Sequence, residues 1–209
     1  MPHKSTILAF DTAAAHCAAV VVRGSKTLAM RVEPMDKGQA ERLFPLIEEV
    51  LAEAEVTLDN LSAIAVGTGP GNFTGIRISV SAARGLAMSL NIPAIGVSRF
   101  NAMALGSQGR CTMIIDARQN RMYVQNFMDG SKISEVVTVS VDEFKAKNEI
   151  FCYGEVAFPA KQITTQKALE NAAQIANGQL NTRQPKPAPL YVRAPDAALP
   201  TNPSPKLLP

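Results

Sequence analysis

The chain is poor in the residues that most enzymes use for chemistry. Of 209 residues only two are histidine, His3 and His16, and three are cysteine, Cys17, Cys111 and Cys152. No serine or cysteine has a histidine at a readable distance for a nucleophilic triad, and Gly-x-Ser-x-Gly is absent. The cysteines lack metal-ligand spacing and cannot all pair, which reads as reduced thiols in a cytoplasm. No lysine occurs between Asp59 and Gly109, so the glycine-rich stretch within it is not a phosphate loop of the Gly-Lys-Ser/Thr kind. Long apolar runs are missing too. Each is broken within about ten residues, where a membrane-crossing helix needs about 20, and Met1-Pro2-His3-Lys4 enters a strand without a signal-peptide pattern. With 21 Lys and Arg against 18 Asp and Glu the net charge is +3. No Lys/Arg run accompanies it, so the clustered patch of an autonomous nucleic-acid binder is lacking.

Apolar residues make up 46% of the chain, enough to bury a sizeable core in one or two small lobes. The most informative stretch is Gly67 to Arg77, GTGPGNFTGIR, placed between an apolar run Leu61–Val66 and an aliphatic helical pattern Ile76–Leu90. It is a strand-to-helix loop. Glycines at 67, 69, 71 and 75 permit positive φ and close backbone approach, and Pro70 fixes a turn. A ligand, a partner or the protein itself packs tightly there. The dinucleotide fingerprint fails, because Gly67-x-Gly69 is followed by Asn72 and Gly69-x-Gly71 by Thr74 where a third glycine is required.

Along the chain, Ile7–Asp11, Ala18–Arg23 and Thr27–Val32 predict a β-meander. Gln39–Ala54 has apolar residues at helical spacing, with Pro45 inside as a kink or a late start. Ala94–Val97 completes a strand-helix-strand unit. The pattern then begins again with Thr112–Asp116, a polar turn Ala117–Arg121, and strands near Tyr123–Met128 and Glu135–Val141. Asp11 and Asp116 end the first strand of each half, which suggests duplicated lobes facing one cleft. Ser140-Val141-Asp142-Glu143 predicts a capped short helix to Asn148, followed by a strand at Ile150–Tyr153 and a helix at Thr165–Asn177 ended by Gly178. Eight of the fourteen prolines lie between Pro185 and Pro209, so that tail reads as mostly extended or disordered, apart from a Leu190–Arg193 piece that docks on the first lobe. The expected organisation is residues 1–101 as one lobe, 102–184 as a smaller second lobe, and 185–209 as the Pro-rich segment.

GTGPGNFTGIR with the helix ISVSAARGLAMSLNIPAIGVS behind it resembles the signature of the TsaB (YeaZ) family, a paralogue of the catalytic TsaD proteins. Ile7–Thr12, Ile115–Arg118 with Tyr123, and Pro189–Arg193 match in order, so the resemblance spans almost the whole chain. It implies an actin-like (ribonuclease-H-like), two-lobed α/β fold with mixed sheets flanked by helices. It also implies a non-catalytic role in making threonylcarbamoyladenosine beside the tRNA anticodon: binding and activating a TsaD-type subunit, in an assembly with a TsaE-type ATPase. The chain alone would form a homodimer, and tRNA would be met only through the complex. The TsaD relatives bind metal through two histidines four apart on a helix. Here Gln39 stands where many TsaB sequences place a histidine, so no metal and no peptidase activity is expected.

Two residue assignments go with that resemblance. Actin-like enzymes hold a metal-nucleotide at paired strand-end carboxylates, so Asp11, Thr12 and Asp116 form a candidate site for weak ATP or ADP with Mg at a subunit boundary. An actin-like phosphotransferase using Asp11 and Asp116 is the alternative function. Against it, no glycine follows either aspartate by one or two positions, and Asp commonly caps a tight turn by accepting backbone N–H groups. The helix after the motif is nearly apolar all round, which suits burial, yet its small residues let a second helix approach. The resemblance tips this towards a partner interface made of Gly69, Pro70, Gly71, Phe73, Thr74, Gly75, Arg77, Ala82, Arg84 and Gly85.

Overall fold

The computed structural model describes residues 4–145, 148–156 and 158–192. Strand β1, Thr6–Asp11, is buried along its whole length and pairs antiparallel with β2, His16–Arg23, which pairs antiparallel with β3, Lys26–Pro34. Helix α1, Gln39–Glu53, follows, and contains Pro45. Strand β4, Ala63–Gly67, lies parallel to β1; helix α2, Phe73–Leu90, returns the chain to β5, Ala94–Val97, parallel to β4. The sheet order is therefore β3-β2-β1-β4-β5.

Burial on both faces explains why β4 and the middle of β1, Ile7–Phe10, are apolar. Leu8, Phe10, Ile64 and Val66 pack with Leu43, Leu46 and Ile47 of α1 and Ile76, Val80 and Ala83 of α2. Ile7, Ala9, Ala63 and Ala65 face the other way, into a core shared with Ala168, Leu169, Ala172 and Ala173 of α4, Thr165–Gly178. Strands covered on both faces carry no polar register.

The second sheet repeats the plan. Strands β6, Arg110–Asp116, and β7, Arg121–Met128, are antiparallel, and β7 also pairs with the short β8, Ser131–Lys132, and with β9, Val137–Ser140. Strand β10, Glu149–Tyr153, runs parallel to β6, and β11, Lys161–Gln162, parallel to β10. The succession β9-β7-β6-β10-β11 matches β3-β2-β1-β4-β5 in order and direction, so Asp11 and Asp116 end equivalent strands. This is the actin-like arrangement of two related α/β units.

Besides the two-residue strands β8 and β11, which the sequence reading did not contain, three elements differ from it. Residues 141–143 form a turn, and no helix occurs among the described residues of the 140–148 stretch. The reason is tertiary: the Val141 N–H donates to the Asn120 carbonyl, and the Asn120 side-chain amide donates to Asp142 at 2.6 Å, so the segment is pinned to the β6–β7 turn. Helix α3, Arg99–Ala104, was not anticipated; it begins at Ser98, whose hydroxyl accepts the Asn101 N–H, and it spans the 101/102 division. Helix α4, placed with the second lobe by sequence order, lies across β1, β2 and β4 of the first sheet. Of the Pro-rich segment, residues 193–209 fall outside the described residues. Among the described residues no helix is long and apolar enough to cross a membrane.

Candidate functional site

The motif loop is shaped by the turn that follows β1. A Cβ at Gly67 would collide with the Asp11 carboxylate, one at Gly71 with the Ala13 carbonyl, and one at Gly75 with the Thr12 carbonyl. Gly69 has φ 94°, a backbone conformation that suits glycine, and the Gly69–Pro70 peptide is cis. The Asn72 N–H donates to the Ala13 carbonyl at 2.7 Å, and the Asn72 side chain caps α2 by accepting the Gly75 N–H at 2.9 Å. What packs tightly against Gly67, Gly71 and Gly75 is the protein's own end of β1 and the turn after it, while Ile76 lies against Gly69.

This arrangement engages the residues proposed for nucleotide. Asp11 is buried; its Oδ1 accepts the Ala13 N–H at 2.6 Å and the Arg99 Nη2 at 3.1 Å. Burial alone pushes the Asp11 carboxyl up, but the Arg99 guanidinium, then His16 and the Ala13 N–H, outweigh it and hold the group well below the usual carboxylate range. His16 Nε2 sits 3.4 Å from Oδ1 and makes no hydrogen bond. The Thr12 hydroxyl is fully buried and donates to the Gly75 carbonyl at 2.6 Å. Mg-phosphate does not fit Asp11 and Thr12 so engaged, and the described residues contain no group of three His, Cys, Asp or Glu able to hold a metal. Asp116 makes the same turn, its Oδ1 accepting the Arg118 N–H at 2.9 Å, but is exposed. Both aspartates are turn caps.

Arg99 is the residue that sequence reasoning missed. Besides Asp11 it donates from Nη1 to the Pro70 carbonyl at 2.8 Å, and its guanidinium lies 4.5 Å from the Tyr153 ring centroid on β10, so it ties β1, the motif loop and the second sheet together. The available signal was a lone cation in the first turn of a short apolar helix, where the helix dipole disfavours positive charge and a specific anion must compensate. A cleft of about 800 Å³ opens beside it, bounded by Phe73, Asp116, Arg118, Tyr123, Tyr153 and Tyr191 among others.

The three cysteines are buried free thiols. Burial, with the Glu33 charge nearby, pushes the Cys17 thiol up to about 11, so it is not a poised nucleophile.

The proposed interface residues divide into two sets. Gly69, Pro70 and Gly75 are buried under the chain itself and offer no free surface: the Ile76 side chain lies against Gly69, Arg99 reaches the Pro70 carbonyl, and the β1–β2 turn lies against Gly75. Gly71, Phe73, Thr74, Arg77, Arg84 and Gly85 are exposed, while Ala82 is half-buried against the core of the first sheet. Met88 stands 82% exposed, and a Cβ at Gly85 would meet nothing within 4 Å. One side of α2 is thus core and the other bare.

The family model described as "TsaD: tRNA N6-adenosine threonylcarbamoyltransferase" matches residues 33–179, more than half of the chain. A protein of Haemophilus influenzae named tRNA threonylcarbamoyladenosine biosynthesis protein TsaB is 32% identical over 83% of this chain and 72% of its own length. An uncharacterized protein of Mycobacterium tuberculosis is 30% identical over 92% of this chain and 94% of its own. The solved structure of YeaZ from Pseudomonas aeruginosa, 26% identical, superposes with a TM-score of 0.69 over 90% of this chain and 100% of that one. The motif, the duplicated sheets and these matches agree: the chain belongs to the TsaB (YeaZ) family.

Proposed function

We propose that this protein acts in the formation of threonylcarbamoyladenosine on tRNA, as the subunit that binds and activates a TsaD-type catalytic partner without carrying out the chemistry itself. The observation that carries the reading is the bare side of α2. Thr74, Arg77, Ser81, Arg84, Gly85 and Met88 line an exposed stripe of an 18-residue helix whose opposite side is fixed in the core. Small residues flanked by cations allow a second helix to approach closely, with charged groups at its rim. In the cytoplasm the stripe would be shared between self-association and the TsaD-type subunit, with a TsaE-type ATPase completing the assembly and tRNA met through the complex. No tightly bound cofactor is part of this reading. Engagement of Asp11 by Arg99 and of the Thr12 hydroxyl by Gly75 weighs against the phosphotransferase alternative.

The test is reconstitution with the TsaD-type and TsaE-type proteins of the same organism, omitting each in turn and assaying tRNA modification. Modification is expected to need this chain. Gly85→Leu adds bulk on the open face, so it should weaken binding to the TsaD-type subunit by about tenfold, a loss of about 1.4 kcal/mol, with the isolated chain at least as stable as before, since leucine is also the better helix former. Full modification without the chain, or unchanged affinity of Gly85→Leu, would remove the reading.

A further inference from the structure

After α4 the chain returns to the first lobe and is tied down beside the start of α2. Pro187 packs over Gly96, and the Leu190 N–H donates to the Thr68 carbonyl at 2.8 Å. Arg77 Nε donates to the Tyr191 hydroxyl at 2.8 Å, the Arg77 guanidinium lies 3.7 Å from the Phe73 ring centroid, and the Phe73 and Tyr191 rings are 4.9 Å apart. Tyr191 is therefore held by backbone and side-chain contacts together. Even so, Phe73 remains 36% and Tyr191 42% exposed. Aromatic surface that is ordered in advance yet open has the character of a binding hot spot, because Tyr and Arg dominate such sites and little side-chain freedom is left to lose.

Charge indicates what would sit there. Helix α2 contains no Asp or Glu, and neither Arg77 nor Arg84 forms an ion pair with a carboxylate among the described residues. A docking face with two uncompensated cations beside aromatic rings fits a partner that brings both an aliphatic side chain and carboxylates.

We propose that the Phe73–Arg77–Tyr191 cluster anchors the α2 docking face, with the C-terminal segment supplying Tyr191, and that it takes an acidic, aliphatic protein surface. The proposal rests on the reading of α2 given above. Titration of the full chain with purified TsaD-type subunit should show Tyr191→Ala weakening affinity at least tenfold while the melting temperature of the chain alone is unchanged. Tyr191→Phe, which keeps the ring and loses the Arg77 hydrogen bond, should weaken it less. Affinity of the parent should fall as salt is raised. Unchanged or tighter binding by Tyr191→Ala, salt-independent affinity, or a loss confined to tRNA retention would each overturn the proposal. Weakening by Gly85→Leu but not by Tyr191→Ala would reject the anchor alone, whereas no effect of either would reject the α2 reading as well.

Discussion

A carboxylate that ends a strand is ordinarily a solvated cap, and Asp116 is one; Asp11 differs because Arg99 reaches it from another element. Removing one member of a buried charge pair strands the other, typically at a cost of about 3–5 kcal/mol. Asp11→Asn should therefore lower the unfolding free energy by about that amount at pH 7. The folded-state pKa of Asp11 lies below its unfolded value of about 4, so its stabilisation is complete above that pH and is lost as pH falls below it towards the folded-state value. The gap between parent and Asp11→Asn in urea titrations should accordingly narrow below pH about 4. An equal gap at pH 7 and pH 3 would show that the charge of Asp11 is not what stabilises the fold.

Helix α2 makes a contrast between two of its own glycines. At Gly75 a Cβ would collide with the Thr12 carbonyl, a backbone atom that cannot swing aside, so Gly75→Ala should destabilise by about 1–3 kcal/mol. At Gly85 there is open space, and alanine is the better helix former by about 1 kcal/mol, so Gly85→Ala should raise the melting temperature. Thermal melts of the two variants should shift in opposite directions. Shifts of the same sign would mean that the glycines share a single role, either both packed against the chain or both free.

At the scale of the whole molecule, the two sheets share one core. Ile7, Ala9 and Ala65 of the first, Cys111, Met113, Ile115 and Phe127 of the second, and the alanines of α4 form a single buried cluster. Arg99 adds a polar tie across the same junction through Asp11, Pro70 and Tyr153. Unfolding followed by far-ultraviolet circular dichroism and by calorimetry should therefore give one coincident transition, the mark of a cooperative unit. Two resolved transitions would show that the lobes fold independently.

The amino-acid order by itself determined the strand-to-helix motif, the two meanders with their matching aspartates, and helices α1, α2 and α4, because these depend on side-chain periodicity and turn chemistry within short windows. It also carried the family resemblance, which reads an ordered set of residues and needs no coordinates. Asp11 and Asp116 were legible as turn caps for the same reason, each bonding a backbone N–H two residues on. Tertiary structure decided the rest. Only packing shows that Gly71 and Gly75 of the motif receive the Thr12–Ala13 backbone, that Arg99 neutralises Asp11 from a helix 88 positions away, and that Tyr191 meets Arg77 across 114. It likewise decided that the capping box at Ser140 would not open a helix, since Asn120 claims its neighbours first. Contacts between residues so far apart leave no local pattern; they arise from the entropy of closing long loops against the burial and pairing gained when the lobes meet.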